Sequence, residues 1–123
     1  MKILLLSLFL FVGITVIAQT SFEKAMTEKV AQVEQQKTSD EFTALANDFK
    51  RIGDKEKTQW LPYYYAAFST IQKGRLAMRD GKMAELDAIA AEAQKSLDLA
   101  LNLNKDNAEN LILQKMIHSL KMM

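Results

Sequence analysis

The 123-residue chain has no cysteine. That excludes disulfides, thiolate nucleophiles, thiolate metal ligands and a lipid-accepting cysteine, so the fold must hold together by packing alone. Histidine occurs once, at His118. A metal site needs several imidazole, thiolate or carboxylate ligands converging, and no HxxxH or ExxH pair shares a segment. His118 therefore reads as a surface or interface imidazole, and neither metal nor cofactor is expected. Charge of one sign is lacking too: setting Lys2 aside leaves 15 basic against 15 acidic residues. Nucleic-acid binders usually carry a clear positive excess, so none is expected as partner. The one basic cluster, Lys73, Arg75, Arg79 and Lys82, reads as a solvated helix end.

Reactive constellations are missing as well. There is no glycine-rich phosphate loop and no Ser-His-Asp set with a nucleophile elbow. Glu85 and Glu92 share a helical face, as a carboxylate pair for acid–base work would. On a surface helix such a pair reads as a solvated face, so the expectation is a protein without catalysis.

One long apolar run is present. Lys2 precedes Ile3–Ile17, interrupted only by Ser7, Gly13 and Thr15, and Val16-Ile17-Ala18 supplies small or medium residues at the cleavage positions. This is the pattern of a secretory signal over residues 1–18, cut between Ala18 and Gln19. The run is shorter than the roughly 20 residues of a spanning helix, which disfavours an uncleaved anchor. Residues 19–123 then form one domain, exported to the periplasm or released, with no stable membrane insertion after cleavage.

One proline and four glycines leave little turn material, and abundant Ala, Leu, Lys, Glu and Gln favour helix. The spacing predicts about five helices in an all-α domain. Thr20 and Glu23 make a capping pattern ahead of Phe22, Met26, Val30 and Val33, giving a first helix to about Gln36. Thr38 and Glu41 repeat that pattern before Phe42, Leu45, Ala46, Phe49 and Ile52, with Gly53 as the stop. A third helix starts near Thr58, with Pro62 in its first turn. It carries Trp60, Tyr64, Ala67, Phe68 and Ile71 on one face and stops at Asp80-Gly81. Lys82–Leu103 reads as the longest helix, with Met83, Leu86, Ala90, Ala93, Leu97 and Ala100 in steps of three and four. Asn107 caps a last helix holding Leu113, Met116, Ile117 and Leu120 on one side.

Ala93, Leu97 and Ala100, the break at Asn104–Asn107 and the restart at Ala108-Glu109 have the spacing of a joint between stacked antiparallel helices. Met26 and Trp60 stand 34 residues apart, the tetratricopeptide period. Trp60 and Leu111 stand 51 apart, 17 more than one period, and the extra residues fall between Ala67 and Ala93. The chain resembles the tetratricopeptide family. In Trp60-Leu61-Pro62-Tyr63-Tyr64-Tyr65-Ala66-Ala67 and the Ala100–Glu109 joint it is similar to small signal-bearing tetratricopeptide-like proteins of Bacteroidota. The resemblance covers nearly all of Ser21–Met123 and implies antiparallel helical hairpins: one regular, one elongated, and a closing helix.

In that family ligands lie on a concave face made by the first helix of each pair. Carried over, the face holds Thr58, Leu61, Tyr65, Phe68 and Ser69, then Glu109, Ile112, Met116, Ser119 and Leu120. Leu61, Tyr65, Phe68, Ile112 and Met116 are the candidate partner-binding residues, apolar anchors for a peptide or a partner helix. The competing reading has them pack against the elongated hairpin. Tyr63, Tyr64 and Tyr65 point about 100° apart on a helix, so they cannot all be buried. Trp60 reads as a core anchor between hairpins. The leading expectation is an exported scaffold for protein or peptide partners. The alternative is a small-molecule carrier whose cavity is lined by Tyr63, Tyr64, Tyr65 and Met78. A homodimer through an uncapped end face is a third expectation.

Overall fold

In a computed structural model, which describes residues 21–122, those residues form five α-helices and no strand. The first, α1, covers residues 21–33. It is followed by α2 (Ser39–Glu56), α3 (Leu61–Arg79), a single 3₁₀ turn at Met83–Glu85, α4 (Leu86–Leu103) and α5 (Ala108–Lys121). Short connections fold successive helices back as antiparallel hairpins. The central helix α3 packs against α2, α4 and α5, and α4 against α5. This is an all-α arrangement compatible with a helical-repeat fold. The signal expectation at residues 1–18 and the Thr20 cap lie outside the described residues. No helix among the described residues is long and apolar enough to cross a membrane.

The predicted caps at Thr38 and Asn107 are made. Thr38 Oγ1 accepts from the Glu41 N–H at 3.2 Å and donates to Glu41 Oε1 at 3.0 Å. Its extended backbone, φ −120° and ψ 157°, requires the chain to leave helical geometry beforehand, which is why α1 stops at residue 33 and not at Gln36. Asn107 Oδ1 accepts from the N–H groups of Glu109 and Asn110 at 2.8 and 3.3 Å. The fully buried Asn110 then donates its side-chain amide to the Asn104 carbonyl at 3.4 Å, tying the α4–α5 joint from inside. At the other end of α4, Gly81 at φ 75° ends α3 as expected. The Lys82 N–H reaches Ala77 O at 2.8 Å and the Gly81 N–H reaches Met78 O at 3.1 Å, the paired bonds of a Schellman stop.

One further stop and one start differ from the sequence reading. Gly53 does not end α2; the helix continues to Glu56, and Lys57 takes the left-handed position at φ 64°. Gly53 is needed for a close approach instead. A Cβ placed there would lie 2.7 Å from Tyr63 Cζ and 2.8 Å from its Cε1. Met83 does not join the α4 stripe either. It sits in the tighter 3₁₀ turn, which shifts its angular position, and it is 44% exposed. With the helix starting at Leu86, α4 is one residue shorter than the 19-residue α3.

Apolar spacing becomes two cores on opposite sides of α3. Met26, Val33, Phe42, Leu45, Phe49 and Ala66 form one between α1, α2 and α3. Ala67, Ile71, Ile89, Ala93, Leu97, Leu113 and Ile117 are among those forming the other between α3, α4 and α5. Consecutive alanines, Ala66 and Ala67, serve one core each, and Phe68 packs against both. The fully buried Ala90, Ala93 and Ala100 are small enough to let helices approach α4 closely. Polar ties are few. Lys29 Nζ donates to Asp48 Oδ2 at 2.9 Å between α1 and α2. Gln94 and Gln114 exchange two amide bonds, 2.9 and 2.7 Å, between α4 and α5.

The Gly53–Tyr63 approach predicts a sign. Alanine ordinarily stabilises a helix interior over glycine by about 1 kcal/mol. Here the added methyl meets the body of a buried ring, and overpacking of that kind costs about 1–3 kcal/mol. Gly53→Ala is therefore expected to destabilise by about 1 kcal/mol net in a urea titration. At Gly74 the nearest atoms are the ends of the Leu120 side chain, which can turn aside, so Gly74→Ala is expected to be the milder change.

Candidate functional site

Residues of α3 that belong fully to neither core form its open stripe, and α1 lies beside it. The result is a groove of about 470 Å³. Helix α1 contributes Val30, Val33 and, just past its end, Glu34; α2 contributes Phe42; α3 contributes Tyr64, Tyr65, Phe68 and Gln72. A second depression of about 440 Å³ adjoins it, lined by Met26, Thr27, Val30, Ala31, Leu61 and Tyr65. Val30 and Tyr65 line both, so the two make one trough along the α1–α3 seam, divided by the Tyr65 side chain.

Aromatic rings build the wall. Tyr65 stacks on the fully buried Phe49 at 5.5 Å between centroids, with planes 26° apart. Tyr64 meets Tyr65 edge-on at 5.0 Å. Phe68 lies nearly parallel to Tyr64 at 6.4 Å and edge-on to Tyr65 at 6.3 Å. Each contact fixes a ring already anchored to a helix, so the wall is preorganised rather than assembled on binding. Burial, and next to it the negative charge of Glu109, raises the Tyr64 hydroxyl above its ordinary value. The first turn of α5 thus lies within electrostatic reach of this tyrosine.

The three consecutive tyrosines divide by helical angle. Tyr64 and Tyr65 border the groove, half-buried. Tyr63 points the other way and is buried over Gly53, its hydroxyl donating to Asp54 Oδ1 at 2.6 Å. A cavity lined by all three is thereby ruled out. Burial first, then the Asp54 hydrogen bond and charge, pushes the Tyr63 pKa up to about 12. Trp60 is not the core anchor the sequence suggested. It precedes α3 as the cap residue, is half-buried, and meets Tyr64 edge-on at 5.7 Å.

The candidate residues fall into separate places. Leu61, Tyr65 and Phe68 all border the trough. Met116 is half-buried against the α3–α4–α5 core, and Ile112 is 57% exposed on α5; neither lines the trough. Two residues carried over from the family do not face a groove at all. Ser69 is fully buried with its hydroxyl donating to Tyr65 O at 2.8 Å, and Leu120 is 3% exposed. Both lie on the buried side of their helices, as their 100° steps from Phe68 and Ser119 require.

Val30, Val33, Phe42 and Gln72 are groove residues that the sequence reading does not name, and Tyr64 appears in it only as a wall of the alternative carrier cavity. They come from three helices, and the seam arises where α1 passes α3, two helices on, which periodicity within each helix does not encode. Among the described residues no three His, Cys, Asp or Glu converge to hold a metal ion. His118 is exposed on α5. Glu85 lies in the 3₁₀ turn while Glu92, on α4, is within 3.4 Å of Lys95 and 3.9 Å of Lys50. The two carboxylates thus belong to different elements. No protein-family model, no curated protein and no solved structure matches the chain.

Proposed function

We propose that the chain is an exported, tetratricopeptide-like scaffold that binds a protein or peptide partner in the α1–α3 trough and carries out no catalysis. The observation that supports this best is the trough itself. It is open, aromatic, preorganised by the Phe49–Tyr65 stack, and continuous over two depressions. An elongated apolar surface with a few polar edges suits a peptide or a partner helix, which presents anchors at repeating intervals. Tyr65, between the two depressions, is the central anchor, with Leu61 and Phe68 on either side. Ile112 and Met116, on α5, lie outside the trough and would serve only as a separate contact. Export rests on the N-terminal pattern and the repeat assignment on the residue spacing.

A carrier for a small apolar molecule is the second reading, favoured by one observation: about 470 Å³ falls within the usual size of ligand pockets, roughly 300–1,000 Å³.

Affinity capture from the native envelope fraction tests the proposal, using tagged wild-type protein and a Tyr65→Ala variant whose folding is verified by circular dichroism. A protein recovered by the wild type and lost with Tyr65→Ala is the expected result. Recovery of the same protein by both forms would remove the trough from the binding surface. If no protein is captured but a metabolite panel shifts Trp60 emission, the carrier reading replaces the scaffold.

A further inference from the structure

The aromatic end of the trough is flanked by negative charge. Among the described residues Glu34 is the one charged side chain lining the larger depression, and it is exposed. Glu109, on α5, is close enough for its charge to help raise the Tyr64 hydroxyl pKa. No lysine or arginine among the described residues lines this depression. Lys73, on α3, turns toward α2 and donates to Thr43 Oγ1 at 3.0 Å. Arg75 and Arg79 line a smaller depression of about 240 Å³ farther along α3, which adjoins the larger one at Phe42 and Gln72, with Arg75 seven residues beyond Phe68, about 10 Å at helical rise.

The ring spacing suits a cation. The centroids of Tyr64, Tyr65 and Phe68 lie 5.0, 6.3 and 6.4 Å from one another. A single positive group can therefore lie within roughly 6 Å of all three centroids, the distance at which cation–π attraction acts when the group is over a ring face. The same rings cover the aliphatic stem of a long basic side chain.

We infer that the α1–α3 trough recognises a lysine or arginine of an otherwise apolar partner segment, held over Tyr64, Tyr65 and Phe68 and paired with Glu34. This rests on the peptide-binding reading of the trough. Arg75 and Arg79 disfavour a uniformly basic segment, so the positive charge sits at the tyrosine end and fixes the direction in which the segment lies.

The test is selection of a random 12-residue peptide display library on the immobilised protein, with counter-selection on Tyr65→Ala. Enrichment of a single lysine or arginine within apolar sequences is expected. In the best binder, replacing arginine by the neutral isostere citrulline should weaken binding about five-fold, as Glu34→Gln should for the arginine peptide. Glu34 is exposed, so that variant leaves the core untouched. Binders lacking basic enrichment, or equal affinity for arginine and citrulline forms, would overturn the inference and leave peptide binding standing. No Tyr65-dependent binder at all would overturn both.

Discussion

Replacing Phe49 by alanine is expected to remove about 3–5 kcal/mol of stability. Its side chain is fully buried among Met26, Val33, Phe42 and Leu45, and truncation both forfeits that burial and leaves a cavity the helices cannot close. A domain of this size is stable by only about 5–15 kcal/mol, so the loss is a large share of the total. In thermal melts it amounts to a midpoint drop of roughly 15–30 °C. The same ring supports Tyr65 from below, so the fraction of Phe49→Ala that remains folded should also bind more weakly. Leu97→Ala separates the two effects. Leu97 is equally buried but belongs to the core between α3, α4 and α5. It should cost about 2–5 kcal/mol while leaving the Phe49 support of Tyr65 in place, and so weaken binding less, although Tyr64 and Phe68 also rest on that core. Urea titration of both variants, with binding measured well below each midpoint, checks this. Equal losses of affinity would mean that the Phe49–Tyr65 stack does not preorganise the site.

The second large effect is a loss of stability at alkaline pH that traces to Tyr63. In the unfolded chain a tyrosine ionises near pH 10, whereas in the fold Tyr63 holds its proton to about 12. Below pH 10 both states are protonated, and the stabilisation is complete. Between about 10 and 12 the unfolded state gives up the proton and the folded state keeps it, so stability falls as pH rises. The slope is about 1.4 kcal/mol per pH unit, accumulating to about 2–3 kcal/mol. Tyr63→Phe has no such proton. At pH 7 it should be less stable than the wild type by about 1 kcal/mol for the lost hydrogen bond to Asp54. By pH 11.5 the order should reverse. Urea midpoints of the two proteins at pH 8, 10 and 11.5 test the crossing, since other titrating groups are common to both. Parallel curves would show that Tyr63 is not held protonated by the fold.

How far the sequence anticipates this structure depends on which residues carry the information. The helices and their faces are local, and Thr38-Glu41, Asn107, Asp80-Gly81 and the Leu86–Ala100 stripe announce them directly. Glycine is ambiguous in sequence. Gly53 looks like a stop because glycine tolerates a left-handed turn, yet its role is to admit the Tyr63 ring from another helix. Lys57 takes the turn although nothing in its chemistry marks it. Bulk is ambiguous in the same way. Trp60 has the size of a core residue, but the ring buried beside Gly53 is that of Tyr63, three positions on. The trough was half legible. Leu61, Tyr65 and Phe68 lie on one helix and share a stripe by period alone. Their companions Val30, Val33 and Phe42 come from helices whose placement follows from packing around α3, with no local signature.

The most direct test of the central claim is site-specific photocrosslinking. A photoreactive phenylalanine analogue would be placed singly at Tyr65 in the trough, at Leu103 at the end of α4, and at Ile112 on α5, and illuminated in the native envelope fraction. If the α1–α3 trough is the binding surface, one discrete adduct forms from position 65, stronger than at 112 and absent at 103. Adducts from position 103 or 112 with none from 65 would contradict it and move the binding surface to the outer faces of α4 and α5.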